Sequence, residues 1–389
     1  HYYYNCGEDL AQFDAYVIVG GFSYEDRGRA GLIAAKNSIL DALECEAEKG
    51  KPILGICNGA QILLESGLLF GDKSQRHRVA LAQNRRLRDG EVLGTGYYND
   101  WVWIKKHQAA NSEGAFVNAV PGPICVPVAH GEGRFLIDEE LYQSLQAQGA
   151  PMWQYCQEDG ALDEHFPCNP NGSMYNLAAL SNVSGTICAM MPHPERTENG
   201  DSVFKSMARY IAQKKKQSRV SSMPAPAAIA PLKQAKLKAE SGHLLVALNI
   251  VDNHAVSLQM ALAQMGLEVS VGHYRYWQIK ADDWTKDLCQ QLIDSGEIIQ
   301  TNKERLLAVE DVDFDLAYRV GDLDNTLGEY TLARVHHRFG LKQVQSIDAS
   351  ALWTIKVHSG QVAKVRDLIE QESFFYHPKA HRVTRMVPL

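Results

Sequence analysis

Residues 51–69 read KPILGICNGAQILLESGLL, and they restrict the possible fold more than any other stretch. A short apolar run enters a Gly-x-Cys-x-Gly turn and leaves as an amphipathic helix. Gly55 and Gly59 flank Cys57, as a sharp strand-to-helix turn requires where its backbone passes close to a neighbouring strand. This is the pattern of a nucleophile elbow, with cysteine in place of serine. The sulfur is expected at the amino end of the helix, where the dipole favours thiolate. The N–H of Asn58, one residue on, can donate to a developing oxyanion, and the glycines of VGGFSYED offer a second donor at Gly21 or Phe22.

A cysteine nucleophile needs a base and a group that orients the base. AMMPHPERTENG supplies His193 and Glu195. Pro192 ends the preceding strand and Pro194 keeps His193 extended, so positions i and i+2 share a face. Together with the elbow these residues form a Cys-His-Glu triad.

The surrounding pattern alternates strand and helix. DAYVIVGGF reads as a strand, AGLIAAKNSILDALECEAEKG as a helix, KPILGI as a strand and NGAQILLESG as a helix, which predicts a mainly parallel sheet flanked by helices. From about residue 90 to 190 the chain is β-rich. DSVFKSMARYIAQKKK closes the domain as a helix with Val203, Phe204, Met207, Tyr210 and Ile211 on one face. The length of 389 residues calls for more than one domain. The predicted division is an α/β domain over 1–214, a linker rich in Ser, Ala, Pro and Lys over 215–242, and two repeats over 243–311 and 312–389. Trp277, Ile279 and Lys280 recur 76 positions on as Trp353, Ile355 and Lys356. Each copy reads strand, helix, two strands, helix, strand, so two small ferredoxin-like α+β units packed sheet to sheet are expected.

Composition narrows the partners. A net charge of −7 argues against nucleic acid, and no apolar run approaches the roughly 20 residues that cross a bilayer. The eight cysteines show no C-x-x-C pair or repeated spacing, so neither a disulfide framework nor a zinc site is expected, and a reducing cytoplasm fits. His336 and His337 are adjacent on a predicted helix and do not share a face, which excludes them as a metal pair. Arg76, Arg78, Arg85, Arg86 and Arg88 form a basic cluster open to two readings, a phosphate or acidic partner and a solvated loop.

GICNGAQ, GGFSY, AHGEGRF, NPNGS and MMPHPER together resemble the glutaminase subunit of phosphoribosylformylglycinamidine synthase, a class I glutamine amidotransferase of purine synthesis, over about residues 1–212. The resemblance implies Cys57 as nucleophile, His193 as base and Glu195 as its partner, with Gln61 and Asn84 lining a glutamine pocket. It implies that His130 and Arg134 shape the site or the ammonia exit, a structural turn being the alternative. Two departures stand out: Glu25 replaces a glycine of the family's GGFSYGD, and NRRLRDGE replaces the Asn-x-Ser form around Asn84. The family begins with a strand and helix absent from HYYYNCGEDL, so a chain lacking about one β-α-β unit is expected.

The implied reaction is hydrolysis of glutamine to glutamate and ammonia, which passes to a separate PurL-like synthetase subunit. No Walker A loop occurs, so ATP and Mg are expected on that partner and no cofactor on this chain. The repeats are similar to the small PurS accessory subunit, which dimerises and bridges glutaminase and synthetase. Two alternatives stay open: an amidotransferase of another pathway, and a non-catalytic scaffold.

Overall fold

The apolar run before the Cys57 turn forms a buried strand, and the run after it a buried helix. The computed structural model describes residues 7–71, 73–108, 110, 112–150, 152–213, 231–237 and 240–387. The chain divides into two units, His1–Ala228 and Ile229–Leu389. Most of the predicted linker, residues 215–230 and 238–239, lies outside the described residues, as do residue 214 and residues 1–6.

The first unit contains β1 (Tyr16–Ile18), α1 (Ile39–Glu48), β2 (Ile53–Ile56), α2 (Asn58–Ser66), β3 (Val79–Gln83), β4 (Arg85–Arg88), β5 (Glu91–Thr95), β6 (Tyr98–Lys106), β7 (Ile124–His130), β8 (Glu132–Ile137), α3 (Glu139–Ala147), β9 (Met152–Cys156), β10 (Leu177–Ser181), β11 (Ile187–Met190) and α4 (Asp201–Ala212). Seven strands join in the order β1-β2-β11-β10-β9-β6-β7, with β3–β8 and β4–β5 as separate pairs. The expected mainly parallel sheet is a mixed one. β1, β2 and β11 run parallel, and every pairing from β11 to β7 is antiparallel. The parallel part is the part that carries the Cys57 turn.

Sequence explains this local order. All four residues of β2 and all four of β11 are buried, as strands covered on both faces must be. In α2 every residue from Asn58 to Leu64 is buried, and Gly67 ends the helix in the left-handed conformation at φ 78°. α1 starts at Ile39, later than predicted, because residues 34–36 form a tighter 3-10 turn that ends at Asn37. In α4 the buried face is Val203, Ser206, Met207 and Tyr210.

The second unit contains β12 (Lys233–Lys236), β13 (His243–Leu248), α5 (Asn253–Gln264), β14 (Val269–Ala281), α6 (Lys286–Asp294), β15 (Glu304–Leu307), β16 (Leu316–Asp322), α7 (Thr326–Phe339), β17 (Val344–Val357), α8 (Val362–Glu372) and β18 (His381–Val387). β12 falls inside the predicted linker and pairs in parallel with β18, so the end of that segment is structured. Each repeat is strand, helix, strand, helix, strand. Where a two-stranded hairpin was expected there is one long strand, of 13 residues in β14 and 14 in β17. The copies do not stack face to face. They join edge to edge through β14 and β17 in one sheet, β12-β18-β16-β17-β14-β13-β15. Arg275 stands opposite Ala351, its own counterpart 76 positions on, so a local two-fold passes beside that pair. Leu288 and Leu292 of α6 and Val335 of α7 cover Trp277, Ile279, Ile347 and Ala349, while Tyr276, Leu352 and Ala317 pack on the opposite face.

Candidate active site

β1, β2 and β11 end on the same side of the sheet, and the segments that follow them converge there. In a parallel sheet this is where strand ends leave a crevice. Cys57 occupies the turn from β2 to α2 at φ 52°, ψ −108°, a conformation that an L-residue holds only when its surroundings enforce it. The enforcement is visible. Its N–H donates to the Met190 carbonyl at 2.8 Å, and its own carbonyl accepts from Ala60 and Gln61. A Cβ at Gly59 would lie 2.0 Å from the Ile18 carbonyl oxygen, and one at Gly55 would lie 2.5 Å from the Gly59 oxygen. Both positions therefore exclude any side chain.

His193 follows β11, and its N–H donates to the Pro127 carbonyl at 2.8 Å. Its Nδ1 is 2.6 Å from Glu195 Oε1. The carboxylate is an acceptor, so Nδ1 carries the proton and Nε2 presents a lone pair. That Nε2 is buried and takes no hydrogen bond. Burial would raise the Glu195 carboxyl, but the hydrogen bond and charge of His193 outweigh it and leave the group below its usual range. A Cβ at Gly20 would meet His193 Cε1 at 2.8 Å and Cys57 Cβ at 3.4 Å, so the imidazole and the cysteine flank the same glycine.

The thiol departs from expectation. Burial pushes Cys57 up to about 11, although the Asn58 N–H and Arg196 pull the other way. Desolvation outweighs the helix amino terminus, and the resting group is a thiol. Its hydrogen bond goes to the Ala129 carbonyl, 3.6 Å away. The free edge of β7 thus organises one wall of the site: the carbonyls of Cys125, Pro127 and Ala129 accept from Asn199 Nδ2, His193 N–H and Cys57 Sγ respectively.

The remaining predicted residues fall in three places. Asn58 faces Cys57 with its N–H, while its side chain accepts from the Ser23 N–H and donates to Asp26 and Gln61. Gln61 is buried and donates to the Glu132 carbonyl at 2.7 Å. Gly21 and Phe22 begin the loop beside it, with Phe22 largely exposed. Asn84 is fully engaged: Nδ2 donates to the carbonyls of Gly96 and His130, and Oδ1 accepts from Gly133 N–H and His130 Nδ1. No donor or acceptor of that amide remains for a ligand. His130 is buried, with its Nδ1 on Asn84, and desolvation followed by the nearby His193 pushes it down to about 3. Arg134 donates to the Gln83 carbonyl. The basic cluster is dispersed: Arg78 pairs with Asp138, Arg86 lies over the Tyr98 ring and Arg88 donates to the Phe166 carbonyl. Among the described residues no group of histidine, cysteine and carboxylate side chains has the arrangement of a metal site, and no helix is long and apolar enough to cross a membrane. Sequence reading missed Asp26 and the Ala129 carbonyl. Asp26 lies inside the quoted GGFSYED stretch, whereas a backbone oxygen leaves no mark in sequence.

A buried cysteine at a strained turn thus stands beside a histidine–carboxylate pair in an α/β fold. Residues 4–223 match the family of CobB/CobQ-like glutamine amidotransferase domains, and the chain belongs to it. More narrowly, it is similar to phosphoribosylformylglycinamidine synthase subunit PurQ. The PurQ of Methanothrix thermoacetophila is 40% identical over 228 residues, which span 54% of this chain and 86% of the relative. That of Pyrococcus furiosus is 36% identical over 211 residues, spanning 52% and 83%. A chain of the solved PurLQS structure from Thermotoga maritima is 32% identical, with a TM-score of 0.39 over 51% of this chain and 80% of that one.

Proposed function

We propose that this chain is the glutaminase component of phosphoribosylformylglycinamidine synthase, with Cys57, His193 and Glu195 as its catalytic triad. The observation that carries the reading is the strained Cys57 turn beside a histidine whose free Nε2 is aimed by Glu195. His193 Nε2 takes the thiol proton as the sulfur attacks the side-chain amide carbon of glutamine. The Asn58 N–H and a backbone N–H of the Gly21–Phe22 segment hold the oxyanion. The imidazolium then gives its proton to the amide nitrogen, and the C–N bond breaks to release ammonia and leave a thioester. A water deprotonated by His193 hydrolyses the thioester to glutamate.

Ammonia passes to a PurL-like synthetase subunit, which holds ATP and Mg and converts formylglycinamide ribonucleotide to the formylglycinamidine. Gln61 and Asn84 shape the pocket through the frame they tie together, Asn84 by fixing His130. We read the second unit as a tandem pair of PurS-like modules, a dimer within one chain, and support for this comes from the two-fold relation across β14 and β17. The setting is the cytoplasm.

The test is glutamate release from glutamine by this chain and by Cys57→Ala, with and without the synthetase, ATP and formylglycinamide ribonucleotide. Release that rises with the synthetase and is lost in Cys57→Ala supports the reading. A folded chain that stays inactive beside a working synthetase would sink it and leave a scaffold role.

A further inference from the structure

The loop that follows β1 is strained over three successive residues: Tyr24, Glu25 and Asp26 have φ of 51°, 53° and 54°. None is glycine, and such residues rarely enter this region. The Asn58 side chain holds the loop, accepting from Ser23 N–H at 3.1 Å and donating to Asp26 Oδ1 at 3.3 Å. The strain is thereby tied to one outcome, a carboxylate set beside the residue that follows the nucleophile.

That carboxylate lacks a counterion. Asp26 is half-buried, and among the described residues it forms no ion pair. Burial alone pushes it up to about 6, with no cation pulling it down. A desolvated carboxylate without a partner is unfavourable, and a cationic ligand would relieve it. Glutamine brings such a group. With its amide carbon at the sulfur, the α-ammonium lies on the order of 5 Å further along the chain.

We propose that Asp26 selects an α-amino acid as substrate, its carboxylate binding the α-ammonium while Asn58 holds it in position. The inference rests on the glutaminase reading above. It assigns Asp26 a role in binding rather than in bond cleavage.

Ammonia release by the full chain with the synthetase present is measured on glutamine and on glutaramate, the same carboxamide without its α-amino group. In Asp26→Asn the KM for glutamine is expected to rise roughly 10- to 100-fold with kcat changed little, and the parameters for glutaramate to stay as in the parent chain. Equal losses on both substrates, or an unchanged KM for glutamine, overturn the proposal. Should Asp26→Asn not fold, Asp26→Ser is read by the same ratio. The parent chain gives a further check, since equal kcat/KM for the two substrates also overturns the idea. A parent chain inactive on both substrates removes the glutaminase reading and this inference together, a pattern distinct from selective loss.

Discussion

The Cys57 thiol points to the Ala129 carbonyl at 3.6 Å, while the lone pair of His193 Nε2 goes unused. The resting nucleophile is thus parked on a strand edge and protonated, its proton held by burial up to about 11. A group raised in this way gains thiolate only as the pH climbs toward that value. Iodoacetamide labelling of the Cys57 peptide, followed by mass spectrometry, is expected to keep accelerating well above pH 9. A plateau near pH 8 or below would mean that the thiol is already ionised by its neighbours.

Glu195 fixes which nitrogen of His193 carries the proton. Glu195→Gln keeps the shape but can donate where the carboxylate accepted, so the imidazole loses its enforced tautomer. Glutaminase kcat is expected to fall by about 10²-fold or more with KM changed much less. A variant within threefold of the parent chain would show that the imidazole is oriented by other contacts.

Asn84 gives a discriminating case. Its amide makes four hydrogen bonds within the frame, so Asn84→Ala leaves buried groups around His130 and Gly133 unpaired. The expected cost is about 3 kcal/mol in chemical denaturation of the first unit. A stable variant with a raised KM for glutamine would instead mark Asn84 as a direct ligand of the substrate.

Gly59 tests the turn itself. Gly59→Ala puts a methyl group 2.0 Å from the Ile18 backbone oxygen, and no side-chain rotation relieves a clash with backbone. A lowered melting temperature, about 2–3 kcal/mol of destabilisation, is expected together with lost activity. Full activity at parental stability would mean that β1 and α2 can separate freely.

Acid stability should respond to Glu46. Hydrogen bonds from Lys49 and Lys51 hold this carboxyl at about 2, below its ordinary 4.5, against the opposing effect of burial. Because the folded value is the lower one, its stabilisation is complete above about 4.5 and disappears as the pH falls toward 2. Glu46→Gln is expected to flatten the unfolding curve in that window, read by circular dichroism. An unchanged acid transition would show that the pair gives no net stabilisation.

How much of this was legible beforehand depends on the range of the interaction. The Cys57 turn could be read because Gly55 and Gly59 encode it locally. The expected extended segment at His193 and Glu195 is instead a 3-10 turn over 194–196, and it is this turn that brings the carboxylate to Nδ1. The Ala129 contact, the counterion-free setting of Asp26 and the closed hydrogen bonding of Asn84 each depend on segments distant in sequence. The same limit explains the missing hairpins. A hairpin and one long strand share the same alternation, and what selects the long form here is pairing with the other repeat.

The junction of β14 with β17 has a consequence for the way this unit holds together. Each repeat presents its longest edge to the other, and separated repeats would leave those edges open to foreign strands. Carrying both on one chain turns a bimolecular encounter into a ring closure, at an effective concentration in the millimolar range for short connections. The pairing therefore survives dilution. A backbone cut between Val309 and Asp315 would make it depend on protein concentration, as separate subunits do.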